Sequence, residues 1–113
     1  MTTPFIDLYI DQGADFNHII NISDDVTNEA INISGFVVTS QMRRSHYSQN
    51  ATNIVCTISN ADEGEITLNM TSEVTSELRA GRYVFDVKTR DQYNTVSKIL
   101  EGIITVIPSV TRS

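Results

Sequence analysis

Apolar residues along the chain occur in short runs, and polar, turn-forming segments separate these runs. Alternation with a period of two places successive side chains on opposite faces of a β-strand. In the clearest case Tyr83, Phe85 and Val87 share one face, while Val84 interrupts an otherwise polar opposite face. The runs predict seven strands, over residues 5–10, 16–22, 36–43, 54–58, 66–70, 83–90 and 96–107.

The segments between the runs predict turns, loops and one short helical turn. Residues 21–33 are polar and predict a turn with a short edge piece, and residues 45–53 and 91–94 predict loops. Residues 71–78 predict a helical turn, for which Thr71 or Ser72 can act as the N-cap.

The last predicted strand, residues 96–107, is the longest, and its second half is apolar on both faces. Gly102 in its middle predicts a β-bulge or a close approach of another backbone. A strand that is apolar on both faces is either central in its sheet or covered by another subunit.

Composition supports the all-β prediction and narrows the function. The 14 Ile, 10 Val and 13 Thr residues make 37 of 113 positions β-branched, which favours strands over helices. The length fits a single domain over residues 1–113. The formal charge of −6 argues against nucleic acid and anionic lipid as partners. We expect no signal peptide and no membrane span, and the single cysteine excludes an internal disulfide.

One short motif resembles a known structural corner. Leu78, Gly81 and Tyr83 form the pattern L-x-x-G-x-Y directly before the penultimate strand. In immunoglobulin-like sandwiches, a tyrosine at this place hydrogen-bonds to the backbone just upstream and fixes the corner between the sheets. Phe85 occupies the position at which antibody domains carry a disulfide cysteine. The motif and the strand count together predict an immunoglobulin-like antiparallel β-sandwich of about seven strands with one short helical turn.

A second resemblance extends over most of the chain. The sequence resembles small structural proteins of tailed bacteriophages, especially T4-like marine and cyanobacterial phages, and the N-terminal domains of phage baseplate proteins. The segments that carry it lie at residues 10–16, 35–36, 41–45, 64–68, 80–87 and 100–112. The resemblance implies a virion structural protein that decorates the head or belongs to the neck, tail or baseplate. It implies contacts with other virion subunits, a homo-oligomer within the particle, and no cofactor.

Two groups of residues are candidates for such contacts. Arg43, Arg44 and His46 form a basic cluster, and arginine can bind carboxylates of a neighbouring subunit in a bidentate manner. A solvated strand end is the alternative interpretation of this cluster. The apolar end of the chain supplies the second group, which consists of Ile103, Thr105, Ile107 and Val110.

The main alternative function is a carbohydrate- or receptor-binding adhesin module. Its site would use the loop tips at residues 45–53 and 91–94, and Tyr47, Tyr93 and Phe5 could form a stacking platform for a sugar. Scattered aromatic residues are more commonly part of a core or singly exposed.

An enzyme or a metal site has little support in the sequence. The spacings G-x-S-x-G and H-E-x-x-H and that of the P-loop do not occur, and we predict no catalytic residue. His18 lacks partners for catalysis, and Cys56 is expected to be a buried small apolar residue. Several aspartates could suggest Ca²⁺, but they lack the spacing that brings carboxylates together, so we expect exposed turn charges. They are Asp7, Asp11, Asp15, Asp24 and Asp25.

Overall fold

The computed structural model describes residues 4–24 and 26–111, and Asp25 and Arg112 of the segments above lie outside this part of the chain. Here the chain forms seven strands, one 3₁₀ turn at Ala61–Glu63 and one α-helix, α1, at Ser72–Ser76. The strands are β1 Phe5–Asp11, β2 Phe16–Asn21, β3 Val37–Arg43, β4 Thr52–Asn60, β5 Glu65–Met70, β6 Gly81–Arg90 and β7 Val96–Ile107.

The strands form the two layers of an immunoglobulin-like β-sandwich. Their hydrogen-bonded order is β1-β7-β6-β3-β4-β5-β2. The start of β4 pairs with β3, whereas the segment from Val55 onward pairs with β5, so this strand passes from one layer to the other. We call the layer of β1, β7, β6, β3 and the start of β4 the five-stranded layer. The predicted fold class is confirmed, except that β1 runs parallel to β7 and the sandwich is therefore not purely antiparallel.

The core lies between the layers and follows the alternation in the sequence. Tyr83, Phe85 and Val87 of β6 all face inward and are buried, as predicted. The side chains with less than 2% exposure are Ile10, Ile33, Met42, Ile66, Leu68, Thr75, Val87, Ile104 and Val106. Since these residues come from all parts of the described chain, one shared core joins the two layers.

The strand predictions are confirmed, with shifts at several ends. The bounds of β7 agree with the prediction, but β4 extends beyond the predicted 54–58 at both ends because polar residues continue its pairing with β3 and β5. Strand β6 begins at Gly81, two residues before the predicted start at residue 83. An isolated bridge between Ser23 and Ala30 provides the short edge piece predicted for residues 21–33.

The helical turn is shorter than predicted and is capped differently. Thr71 is the N-cap residue of α1, one of the two that the sequence predicted, but its side chain makes no capping hydrogen bond. Instead, the amide of Ser72 donates to Oδ1 of Asp15 at 2.7 Å. The hydroxyl of buried Thr75 donates to the carbonyl of Ala14 at 2.8 Å, which ties α1 to the turn between β1 and β2.

Strand β7 has strand neighbours on both sides. Of the two explanations for its apolar faces, a central position in the sheet or cover by another subunit, the structure shows the central position. Strand β7 pairs with β1 on one side and β6 on the other. A Cβ on Gly102 would lie 2.8 Å from the carbonyl carbon of Ile6 and closer still to its oxygen, so the predicted close backbone approach is confirmed. The bulge lies elsewhere, at Ile99, because Val87 pairs with Leu100 while Lys88 pairs with Lys98.

The predicted corner is also confirmed. The hydroxyl of Tyr83 donates to the carbonyl of Arg79 at 2.8 Å, and Leu78, the first residue of the motif, is buried in the core. Gly81 has φ +128°, a conformation that L side chains rarely adopt. The guanidinium of Arg44 lies 4.9 Å from the centre of the Tyr83 ring.

Candidate functional site

The surface of the five-stranded layer that faces away from the core, here called the outer face, is the strongest candidate site. Cross-strand register arranges its side chains in rows. One row joins Asp7 to Ile103, Ile103 to Val84, and Val84 to Arg43. Thus residues 7, 43, 84 and 103, which are far apart in sequence, become neighbours on one surface.

The centre of the outer face is apolar and half-buried. Val84 and Ile103 are directly opposite each other, and both are only partly accessible although they face away from the core. They line a depression of about 780 Å³ together with Phe5, Arg43 and His46. A partner that covers the part of these aliphatic side chains still accessible to water would gain free energy, because apolar surface is then removed from water.

A polar row crosses the same depression next to this apolar centre. The row contains Phe5, Glu101, Asp86, Gln41 and Asn53, in the order in which the strands place them. The amide nitrogen of Gln41 donates to Oδ1 of Asn53 at 3.0 Å. Asp86 and Glu101 are directly opposite each other, an arrangement that is unfavourable for like charges. Lys98 Nζ lies 3.9 Å from Asp86 Oδ2 and offsets part of this repulsion.

The structure brings most of the predicted contact residues together on this surface. Arg43 and Ile103 are part of one row, and Thr105 and Ile107 continue the outer side of β7. His46 lines the depression from the loop after β3. Val110 lies beyond the end of β7 and is 99% exposed. Arg43, His46, Ile103, Thr105 and Ile107 therefore remain candidates for one continuous contact surface.

The three basic residues do not form one cluster. Arg43 donates through Nη1 to the carbonyl of Ser48 and through Nη2 to Oε1 of Gln41 at 3.1 Å, so it holds the following loop against the outer face. Arg44 turns to the corner, where Nη1 lies 3.4 Å from the carbonyl oxygens of both Ala80 and Arg82. Arg44 therefore packs against the corner, while Arg43 and His46 remain at the depression.

The loop tips considered for an adhesin site lie at opposite ends of the sandwich. Arg43, which precedes the loop at 45–53, pairs with Val84 near the start of β6, whereas Val37 pairs with Arg90 at its end, next to residues 91–94. Tyr47 and Tyr93 are exposed on these separate loops. A single stacking platform of Tyr47, Tyr93 and Phe5 is therefore wrong, although Phe5 itself faces the depression.

The remaining chemistry-bearing residues are dispersed. Among residues 4–24 and 26–111, no three His, Cys, Asp or Glu side chains group as metal ligands, and no helix is long and apolar enough to span a membrane. Asp15 caps α1, and His18 is half-buried on β2. Cys56 is half-buried against the core, and burial raises the pKa of its thiol from 9.0 to about 11.

One of the residues that the prediction missed is indicated by the sequence pattern. Val84 was the apolar exception among the outward-facing positions of its strand, and in the structure it forms the apolar centre with Ile103. Asp86 and Glu101 had no comparable indication, because only the pairing of β6 with β7 brings them together.

Comparisons with known proteins are informative about the fold. No protein-family model and no curated protein matches the chain. A solved structure of an internalin-like protein of Listeria monocytogenes is similar, with 24% identity and a TM-score of 0.50 over 93% of this chain and 28% of that chain. The SrpA adhesin of Streptococcus sanguinis has 13% identity and a TM-score of 0.51 over 96% of this chain and 56% of that chain. Murine CRIg is 10% identical, with a TM-score of 0.43, 91% of this chain and 92% of that chain being covered.

The chain thus spans about a quarter and about half of the lengths of the first two proteins. At these identities the likeness extends to the fold alone.

Proposed function

We propose that this protein is a non-enzymatic structural component of a tailed-phage virion that binds neighbouring subunits through its outer face. The observation that supports this contact surface is that five of the predicted contact residues lie on one side of the five-stranded layer. They are Arg43, His46, Ile103, Thr105 and Ile107. The resemblance of the sequence to phage structural proteins supplies the setting, in the virion. The head, neck, tail and baseplate are all places where such a module could bridge subunits.

The physical basis of the contact is an apolar centre with charged and polar surroundings. Val84 and Ile103 would supply apolar burial, and each square ångström of apolar surface removed from water contributes about 25 cal/mol. Arg43 is held in place by its own hydrogen bonds, so little side-chain entropy remains to be lost when it meets a carboxylate of a partner. Such an arrangement, with an apolar core and a polar rim, is typical of protein interfaces.

A complementation experiment with purified virions tests this proposal. Ile107→Glu changes a residue on the outer face that is 42% exposed, and Ile19→Glu is the matched control on β2 in the other layer, where the residue is 57% exposed. We expect Ile107→Glu to be depleted from particles and Ile19→Glu to be incorporated like the wild type. Circular dichroism of both variants checks that the fold is intact. Equal incorporation of the two variants would contradict the proposal that the outer face is the contact surface. Absence of the wild-type protein from particles would contradict the virion role.

The polar row favours a second candidate function, the binding of a carbohydrate. Saccharides are bound by aromatic rings that stack on the sugar and by amides and carboxylates that exchange hydrogen bonds with its hydroxyl groups. Phe5 is 59% exposed at one end of the row, and Gln41 and Asn53 are already linked at the other end. Asp86 and Glu101 lie between them and line the depression.

A glycan array distinguishes the two candidates. Saturable binding by the wild type that is lost in Phe5→Ala and kept in Tyr47→Ala would favour the carbohydrate function. Loss of binding in Tyr47→Ala alone would instead place the sugar at the loop tip. Absence of saturable binding to any glycan in the wild type would contradict this second candidate.

A further inference from the structure

Charge is distributed unequally between the two layers. Residues 1–42 and 45–78 contain no lysine or arginine. The basic residues in the described part of the chain all lie on β6 or β7, at the end of β3, or at the corner, and they are Arg43, Arg44, Arg79, Arg82, Lys88, Arg90 and Lys98. The basic residues are therefore confined to the five-stranded layer and the corner, where Asp7, Asp11, Asp86 and Glu101 also lie, whereas the loops at residues 12–15, 22–36 and 61–64 carry acidic residues and no basic ones.

An exposed basic patch lies at one end of the outer face, and we define it as Val37, Lys88, Arg90, Val96 and Lys98. Register places Lys88 opposite Lys98, and Arg90 between Val37 and Val96. The valines are 56% and 53% exposed. Like charges in direct opposition repel each other, and only Lys98 has an ion pair among the described residues, with Asp86. This patch therefore combines two basic side chains that have no ion pair among the described residues, Lys88 and Arg90, with exposed apolar surface.

The loops at the same end of the sandwich carry four acidic residues. We call this group the acidic end, and it consists of Asp24, Glu29, Asp62 and Glu63. Backbone hydrogen bonds between residues 22 and 31 and between residues 33 and 61 hold its two loops together. The side-chain amide of Asn32 also donates to Oδ1 of Asp62 at 3.1 Å. The amide of Ile33 donates to the carbonyl of Ala61, and the chain enters β3 at Val37 four residues later, opposite Arg90, so the acidic end and the basic patch lie at the same end of the sandwich.

We propose that the basic patch binds the acidic end of a second copy of this chain, reciprocally, about a two-fold axis. Two adjacent surfaces of opposite charge are complementary to themselves when one copy is rotated by half a turn about an axis between them. Each basic patch then faces the acidic end of the other copy, and Val37 and Val96 are covered at the centre. No partner other than the chain itself is needed to explain the complementarity.

The dimensions of the molecule limit the strength of this contact. The two shorter extents are 28 and 22 Å, so an end-on contact covers roughly 600 Å² on each copy, at the lower limit of specific interfaces. Each copy also carries a net charge of −6, which opposes association beyond the local contact. We therefore expect a dissociation constant in the range of about 1–100 μM.

This inference rests on the proposed function for its physiological setting, because it names one partner of the module within the particle. It concerns the isolated protein, however, and can be tested without virions. Its failure is thus distinguishable from failure of the proposed function, since a monomeric protein that is still incorporated into particles would overturn the inference alone.

Sedimentation equilibrium with two pairs of charge-reversal variants provides the test. Lys88→Glu with Arg90→Glu reverses the basic patch, and Arg79→Glu with Arg82→Glu is the control with the same change in net charge at the far end of β6. Asp62→Lys with Glu63→Lys changes the charge summed over the four residues of the acidic end from −4 to 0, and its control on and after α1 is Glu73→Lys with Glu77→Lys. All eight side chains are exposed, so these changes leave the core intact.

We expect the wild type and both controls to form dimers, and each reversed variant alone to dissociate at least about tenfold more readily. An equimolar mixture of the two variants should restore a 1:1 dimer, because the intact basic patch of one copy then meets the intact acidic end of the other, and the second contact is no longer between two strongly charged surfaces of the same sign. A wild type that is monomeric at about 100 μM, controls that dissociate equally, or a mixture that stays monomeric would each overturn the inference. Oligomers larger than the dimer would overturn the two-fold arrangement.

Discussion

The substitution Gly102→Ala tests how β1 is attached to the rest of the sandwich. A Cβ at this position would lie 2.8 Å from the carbonyl carbon and 3.0 Å from the nitrogen of Ile6, so it meets backbone that cannot rotate away. Adjacent strands lie about 4.8 Å apart, and the contact can be relieved only by moving β1 away from β7. We therefore expect the parallel pairing of β1 with β7 to be weakened or lost.

The structure sets limits on the free-energy cost. If β1 shifts locally, the cost is that of overpacking, about 1–3 kcal/mol. If β1 detaches, the burial of Leu8 and Ile10 is lost, and each such side chain contributes about 1.5–3 kcal/mol. Detachment relieves the overpacking, so the expected loss lies between about 1 kcal/mol for a small local shift and about 6 kcal/mol for detachment, against the roughly 5–15 kcal/mol that stabilises a domain.

Urea denaturation followed by far-UV circular dichroism measures this loss, since the chain has no tryptophan. Ser97→Ala, at an exposed position of the same strand, is the control, and it should change the free energy of unfolding by less than about 0.5 kcal/mol. Amide hydrogen exchange should show reduced protection in β1. If Gly102→Ala stays within about 0.5 kcal/mol of the wild type, the close approach of Ile6 to Gly102 does not exist in solution.

The remaining predictions concern the corner and the single cysteine. Tyr83→Phe should lower the free energy of unfolding by about 1 kcal/mol in a urea titration, because it removes the hydrogen bond to the carbonyl of Arg79, and an unchanged midpoint would contradict this role. Gly81→Ala should displace the guanidinium of Arg44, since the new Cβ would lie 2.6 Å from its Nη1, and NMR should then show the loop after β3 to be more mobile. Cys56 should react with iodoacetamide at pH 8 at least about tenfold more slowly than in the urea-unfolded chain, and an equal rate would contradict its burial. Because burial raises the pKa of this thiol to about 11, its contribution to stability is present below pH 9 and is lost between about pH 9 and 11, which denaturation at several pH values checks.

Local pattern was sufficient for the parts of the fold that depend on neighbouring residues. The alternation through Tyr83, Phe85 and Val87 identified the inward face of β6, and the spacing of Leu78, Gly81 and Tyr83 identified the corner. The parallel pairing of β1 and the passage of β4 between layers were not predicted. Both depend on which strands meet in space, and the side-chain alternation within a single strand does not depend on its partner.

The side chains that the outer face presents depend on one β-bulge, and the sequence did not predict its position. From Glu101 to Ile107 alternate residues of β7 face outward, and without interruption the same phase would turn Lys98 toward the core. The bulge at Ile99 inserts one residue, so that Lys98 and Val96 instead face outward beside Lys88 and Arg90. Ile99 packs against the core at the point where the phase changes, which offsets the cost of the lost pairing. The basic patch is therefore a consequence of the bulge, and this explains why a sequence that indicates the strands correctly does not indicate the surface they present.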